Sequence, residues 1–283
     1  MKNQGMDDYR TMQTNPFGRV PAKKDEIRLK EAGGVELQGR RTVGQRLLAA
    51  VYPERCACCG RVVPCGELIC GACRARLPAV EPPLCPFCGC GRADCACEGR
   101  RRITERAAAP FYYEGAARDA VRNLKFHNRP YAAEPLALAM AATVRREFLC
   151  GEDGRSAVRL DGIVPVPVSP ATRKRRGYNQ SALLAKGLAD TLELPMEETL
   201  VKLWDVPAQR NLPAYRRSGN VLGVFDRAAG AAFTGRTLLL VDDIATTGAT
   251  LDECAKMLKI YGAREVYAVT AAVARRTRTA AGG

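Results

Sequence analysis

No stretch of the 283-residue sequence approaches the ~18 uninterrupted apolar residues of a membrane helix, and no basic-then-apolar leader opens it. Membrane insertion and secretion are therefore not expected, and the reading places the protein in a reducing cytoplasm. Histidine is nearly missing: His127 is the only one. It follows a predicted helix rather than ending a strand, so an imidazole base is not the favoured chemistry. With 47% hydrophobic and 26% charged residues, the composition excludes a disordered or collagenous chain and allows one sizeable core with a small satellite domain.

Cysteine and positive charge are abundant instead. Eleven of the 13 cysteines fall between Cys56 and Cys97, and under cytosolic redox poise paired C-x2-C spacings point to metal more than to disulfides. The first set, Cys56 and Cys59 with Cys70 and Cys73, lets one tight turn present each pair of sulfurs to one ion. Gly60 and Gly71 are expected to take the positive φ such turns need. The second set is Cys85, Cys88, Cys95 and Cys97, with Cys90 competing for the fourth place and Cys58 and Cys65 surplus. Two structural zinc ions are the expectation, with an iron–sulfur cluster or a redox thiol pair as alternatives. A closed four-thiolate site staples a segment too short to form its own core, and no catalysis is assigned to it. The formal charge of +14 recruits polyanions without specifying which.

Three regions are expected: 1–42 as a poorly ordered extension, 43–105 as a cysteine-rich double zinc ribbon, and 106–283 as an α/β domain. Val43, Leu47, Leu48 and Val51 have helical spacing and are expected to pack on the metal module. Further along, Ala117, Val121 and Leu124, then Leu136, Met140 and Val144, predict two helices after a short strand at Tyr112 and Tyr113. A strand around Val164 leads into Arg173, Lys174, Arg175 and Arg176, read as a basic loop before a further helix. Pro165 and Pro167 end that strand or confine it to an edge.

The segment Thr237 to Leu251, TLLLVDDIATTGATL, carries the chemistry. Leu238 to Val241 form the continuous apolar run of a strand buried on both faces of a parallel sheet. Asp242 and Asp243 stand at its C-terminal end, where open α/β sheets bind ligands. The turn Ala245, Thr246, Thr247, Gly248, Ala249 and Thr250 then feeds a helix, whose first N–H groups with the threonine hydroxyls would hold a phosphate dianion. Carboxylates beside a phosphate repel it unless they face hydroxyls or Mg²⁺, and a ribose 5-phosphate satisfies both requirements.

The VDDIATTGAT segment resembles the 5-phosphoribosyl 1-pyrophosphate (PRPP) motif of type I phosphoribosyltransferases. Together with the cysteine knuckles, YYEGAARDAVRNLKF, VPVPVSPATRKRRGYNQSALLAKGLA and PAQRNLPAYRRSGNVLGVF, residues 43 to 275 resemble the ComF-type competence family. Pro213 and Arg216 depart from that pattern, which has Ser and Glu there. The resemblance implies a type I phosphoribosyltransferase fold, a parallel sheet flanked by helices, behind an N-terminal double zinc ribbon. Asp242 and Asp243 would be the catalytic pair, binding the ribose hydroxyls directly or through Mg²⁺. Residues 245–250 would hold the 5′-phosphate, and Lys174 and Arg176 would cover the pyrophosphate. The implied reaction is Mg²⁺-assisted displacement of pyrophosphate from PRPP by an unidentified nitrogen nucleophile, in a role linked to DNA uptake in natural transformation. The alternative is a non-catalytic factor that binds single-stranded DNA and the uptake machinery, with PRPP as regulator.

Overall fold

The computed structural model describes residues 29–30, 34–35, 42–44, 49, 51–97, 102–150, 157–203 and 224–275. Most of the expected N-terminal extension and the segment holding Pro213 and Arg216 lie outside the described residues. Two short strands, β1 (Leu29–Lys30) and β2 (Gly34–Val35), pair antiparallel within 1–42. Among the described residues no helix is long and apolar enough to cross a membrane.

A five-stranded parallel sheet organises the rest. Its strands are β3 (Ala107–Ala108), β4 (Phe111–Tyr112), β5 (Gly162–Pro165), β8 (Thr237–Ala245) and β9 (Glu265–Val273). The spatial order is β3-β9-β8-β5, with β4 also pairing β9. The apolar run of β8 occupies the interior position its composition predicts, between β9 and β5, because only a strand covered on both faces can bury consecutive leucines. β5 is an edge strand, so Pro165, opposite Val241, needs no second ladder partner. A separate antiparallel pair, β6 (Leu200–Lys202) and β7 (Phe225–Arg227), flanks residues 203–224.

Helices cover both faces. After a short α1 (Gly71–Arg74) in the first cysteine knuckle come α2 (Gly115–Phe126) and α3 (Ala133–Val144), the two that the apolar spacing predicts. With α5 (Gln180–Leu192) they pack on Leu239, Val241, Tyr267, Val269 and Ala271. Helix α6 (Ala249–Ile260) lays Leu251, Cys254, Ala255 and Leu258 on the other face against Leu238, Leu240, Val266 and Ala268. The alternation of Leu238/Leu240 with Leu239/Val241 is the period-2 pattern of a strand serving two cores. Each fully buried leucine contributes about 1.5–3 kcal/mol. Gly262, at φ +98, ends α6 where the sequence predicts it.

Three local expectations change. Arg173 to Arg176 are not a loop: they close helix α4 (Pro170–Arg176), which Ser169 caps by accepting from Thr172 N at 3.1 Å and which Gly177 terminates at φ +80. Gly71 begins α1 without a positive φ, and the left-handed glycines of the two knuckles are Gly60 (φ +75) and Gly89 (φ +74). Val51 is 72% exposed, and Val43 and Tyr52 are exposed as well. The inner side of the first knuckle is instead covered by α2, and Leu47 and Leu48 lie outside the described residues. The ribbon also shares its core with the sheet domain: Ala57, Val63, Leu68 and Ile69 belong to the same buried cluster as α2 and α3.

Candidate phosphoribosyl site and metal centres

The C-terminal ends of β8 and β5 and the start of α6 meet at one sheet edge. A small solvent-open cavity lies there, lined by Asp242, Ile244, Ala245, Thr246, Thr247, Gly248, Ala249, Thr250 and Leu251. All six predicted loop residues and the first acid are therefore together. Gly248 is left-handed, at φ +77, and immediately precedes α6. A Cβ there would stand 2.4 Å from Arg102 Nη1, so glycine is required both for the turn and for the close approach of that guanidinium. Arg102, its side chain only 9% exposed, is held by Asp252 Oδ2 at 2.8 Å, while Ile103 N donates to Oδ1 at 3.2 Å. The segment after the second cysteine set is thus pinned to the first turn of α6.

Asp242 is buried, and its Oδ1 accepts from Ser181 Oγ and from Asp243 N, both at 2.9 Å. Burial first, and the neighbouring Asp243 charge second, push its carboxyl up to about 7. Asp243 is buried beside it, with Oδ1 2.9 Å from Lys125 Nζ and Oδ2 making no hydrogen bond among the described residues. Of the pair, Asp242 lines the cavity and Asp243 stands behind it. Lys125 and Ser181 lie within segments that resemble the ComF-type family, though no role at the site is expected of them there, and Arg102 lies outside those segments; each comes from an element remote in sequence from the loop.

Lys174 and Arg176 are not brought into the cavity. Lys174 is exposed on α4, and the Arg176 guanidinium lies 5.3 Å from the centroid of the exposed Phe126 ring. His127 is exposed at the C-terminus of α2 and is not among the residues lining the cavity.

The two cysteine sets each converge. Within Cys56, Cys59, Cys70 and Cys73, and within Cys85, Cys88, Cys95 and Cys97, all four sulfurs lie within 4.8 Å of one another. Tetrahedral zinc with Zn–S near 2.3 Å requires S···S separations of about 3.8 Å. Cys59 to Cys70 is 3.9 Å, Cys85 to Cys97 3.6 Å and Cys88 to Cys95 3.6 Å, with Cys95 to Cys97 closer at 3.2 Å, so four thiolates converge at about the size of the ion's tetrahedron. One thiol in each set is acidified. Burial opposes ionisation of Cys56, but backbone donors, Cys59 first, bring it down to about 7, and Cys85 is lowered in the same way with Cys88 as the leading donor. Cys90 stands outside the second set, its Sγ 3.9 Å from Ala274 O, and Cys58 is buried with its thiol pushed up, chiefly by burial.

The comparisons with known proteins agree with both halves. Residues 47–102 match the double zinc ribbon domain, and residues 179–281 match the phosphoribosyl transferase domain. The chain is 30% identical over 212 residues to the DNA utilization protein YhgH of Salmonella typhimurium, covering 75% of this chain and 86% of that one. It belongs to the competence protein F/YhgH family. Competence protein F of Haemophilus influenzae is 28% identical over 212 residues, 70% of this chain and 87% of the relative. Among solved structures, a purine phosphoribosyltransferase from Pyrococcus horikoshii is similar at 16% identity and a TM-score of 0.31, over 49% of this chain and 70% of that one. A ComF/YhgH chain of this kind therefore carries a phosphoribosyltransferase-type α/β domain behind two four-cysteine clusters of a double zinc ribbon.

Proposed function

We propose that the protein binds PRPP at the edge of β8 and transfers its phosphoribosyl group to a nitrogen nucleophile, in the service of DNA taken up by the cell. The observation that carries this reading is the meeting of Asp242 with a threonine- and glycine-lined helix start in one cavity, with Asp243 adjacent in sequence. In this reading the 5′-phosphate sits on the five N–H groups of residues 246–250, at the positive end of the α6 dipole. The ribose hydroxyls donate to Asp242 and Asp243. Ser181 and the Asp243 N–H hold the Asp242 carboxyl in one rotamer, so its orientation is set before the ligand arrives.

Asp242 and Asp243 supply oxygen donors of the kind Mg²⁺ prefers, and the cation when bound would carry the charge of the departing pyrophosphate. What this chain does itself is hold the sugar by both ends, so that the C1–O bond faces the nucleophile, and keep two carboxylates near a carbon that becomes cationic as that bond breaks. Zinc held by the two cysteine sets would be structural, fixing the ribbon whose tail delivers Arg102 to α6.

The names of the relatives, competence protein F and DNA utilization protein, support a place in DNA uptake or use. A second reading has its own observation: α4 exposes Arg173, Lys174 and Arg175 near the Phe126 ring that Arg176 covers, a cationic and aromatic surface suited to single-stranded DNA. Pyrophosphate release from PRPP, followed over a panel of amines and nucleobases with DNA binding measured in parallel, separates the two. Release lost in Asp243→Asn supports transfer. DNA binding that persists in that variant, with no release from the wild type, supports the second reading.

A further inference from the structure

Helix α2 brings a cation to the acidic pair and, two residues earlier, an amide to the zinc ribbon. The Lys125–Asp243 contact is largely dry: the side chains are 19% and 3% exposed. The carboxylate is held by that one cation, and its second oxygen has no hydrogen-bond partner among the described residues, beside Asp242, which lines the cavity. Asn123 is also buried. Its Nδ2 donates to Ala57 O at 2.8 Å and to Cys58 O at 2.7 Å, the two carbonyls inside the first knuckle, between Cys56 and Cys59. Its Oδ1 accepts from Arg129 Nη1 at 3.2 Å, and that guanidinium packs on Gly60, where a Cβ would approach it to 2.9 Å. Leu124 O, between the two, accepts from Tyr178 Oη at 2.6 Å, tying the same turn to the segment that begins α5. Three consecutive residues at the end of one helix are thus fixed on three sides, because successive helical positions point about 100° apart.

We propose that Lys125 is a positioning residue of the ribose-phosphate site, holding Asp243 where a ligand hydroxyl meets it and offering positive charge to an anionic sugar phosphate, and that the first cysteine knuckle sets its place through Asn123. This rests on the ribose-phosphate reading above. Neither residue belongs to the segment matched by the phosphoribosyl transferase domain, residues 179–281. The knuckle, which does no chemistry itself, thereby acquires a role at the site. A fluctuation of the 56–60 turn is transmitted over two residues of helix, a rise of about 3 Å, to the cation that faces Asp243.

The test is titration calorimetry of the full chain with PRPP and, separately, with inorganic phosphate. The proteins are the wild type, Lys125→Met, Lys125→Arg, Asn123→Ala and, as a control on the exposed side of the same helix, Arg122→Ala. Zinc content and thermal melting are checked for each. Lys125→Met is expected to loosen PRPP by about tenfold or more while leaving phosphate, which needs only the loop, within about twofold. Lys125→Arg restores most of the loss, and Arg122→Ala changes neither ligand. Asn123→Ala, with two zinc ions retained, loosens PRPP in the same direction, and the Asn123→Ala/Lys125→Met protein is no weaker than Lys125→Met alone, since both act through one group. No PRPP binding by the wild type would remove the ribose-phosphate reading itself. Wild-type binding with Lys125→Met unchanged, or with PRPP and phosphate weakened alike, would overturn the role of Lys125 and leave that reading standing. Should Lys125→Met fail to fold, Lys125→Gln carries the same comparison. Loss in Lys125→Met with none in Asn123→Ala would overturn the link to the knuckle.

Discussion

Arg102 reaches Asp252 across 150 positions of sequence, at 2.8 Å, and in doing so lays its guanidinium on the one face of Gly248 that a side chain would occupy. The phosphate-type loop is therefore shaped by a residue from the end of the ribbon as well as by its own small residues. Gly248→Ala is expected to cost about 1–3 kcal/mol, from the left-handed backbone and the displaced guanidinium together. Urea unfolding gives the cost. The same variant should lose phosphate binding, whereas Ala249→Gly should retain most of it.

Asp242 gives a pH dependence with a definite sign. Its carboxyl is raised from the usual 3.8 to about 7, by burial first and by Asp243 second, so the folded chain holds this proton more tightly than the unfolded one. Stability from this group is therefore present at low pH and is lost as pH rises from about 4 to about 7. Asp242→Asn keeps an oxygen for Ser181 Oγ and the Asp243 N–H while removing the charge. It should be more stable than the wild type by about 2 kcal/mol at pH 8. The advantage should shrink steadily on going down to pH 5. Urea midpoints at the two values check this, and an advantage that grows at low pH would contradict the assignment.

Metal analysis separates the clustered cysteines from the others. Purified protein should carry close to two zinc per chain, and Cys97→Ser or Cys59→Ser close to one. Cys90→Ser, whose sulfur stands outside the second set, should keep both. Iron in place of zinc, or loss of one ion from Cys90→Ser, would show the ligand assignment to be wrong.

Tyr112 joins the ribbon to the sheet. Its hydroxyl donates to Asp94 Oδ2 at 2.7 Å and accepts from Gly91 N at 3.0 Å, and Arg275 covers the ring at 3.8 Å from the centroid. Tyr112→Phe leaves a buried N–H without an acceptor and should destabilise the fold by about 1–3 kcal/mol. Thermal unfolding measures it, with Tyr113→Phe as the comparison expected to be near neutral.

The parts of this structure that a sequence announces are those with a local period or a short fixed spacing. The Leu238–Val241 run, the acids that end it, the spacing along α2 and α3, and the paired cysteines are each written in one short segment, and each is found where its pattern predicts. Helix α4 was also written locally, in Ser169, Pro170 and Gly177, but four adjacent cations disguise those caps as a loop. Nothing local gave Lys125, Ser181 or Arg102 a role at the site, although the first two lie in family-like segments. Ser181 meets Asp242 across 61 positions and Arg102 meets Asp252 across 150, so only the folded chain brings the pairs together. The two-residue strand β3 is too short to show a period, β4 stands one residue before the strand expected at Tyr112 and Tyr113, and the shared core of ribbon and sheet is a packing outcome, invisible in either segment alone.

Calorimetric titration of the zinc-loaded protein with PRPP, with and without Mg²⁺, beside the Asp242→Asn/Asp243→Asn protein, tests the central claim most directly. Micromolar binding, strengthened by Mg²⁺ and lost in the double variant, is the predicted result. Absence of binding by the wild type, or equal binding by the double variant, would contradict a ribose-phosphate site at the end of β8.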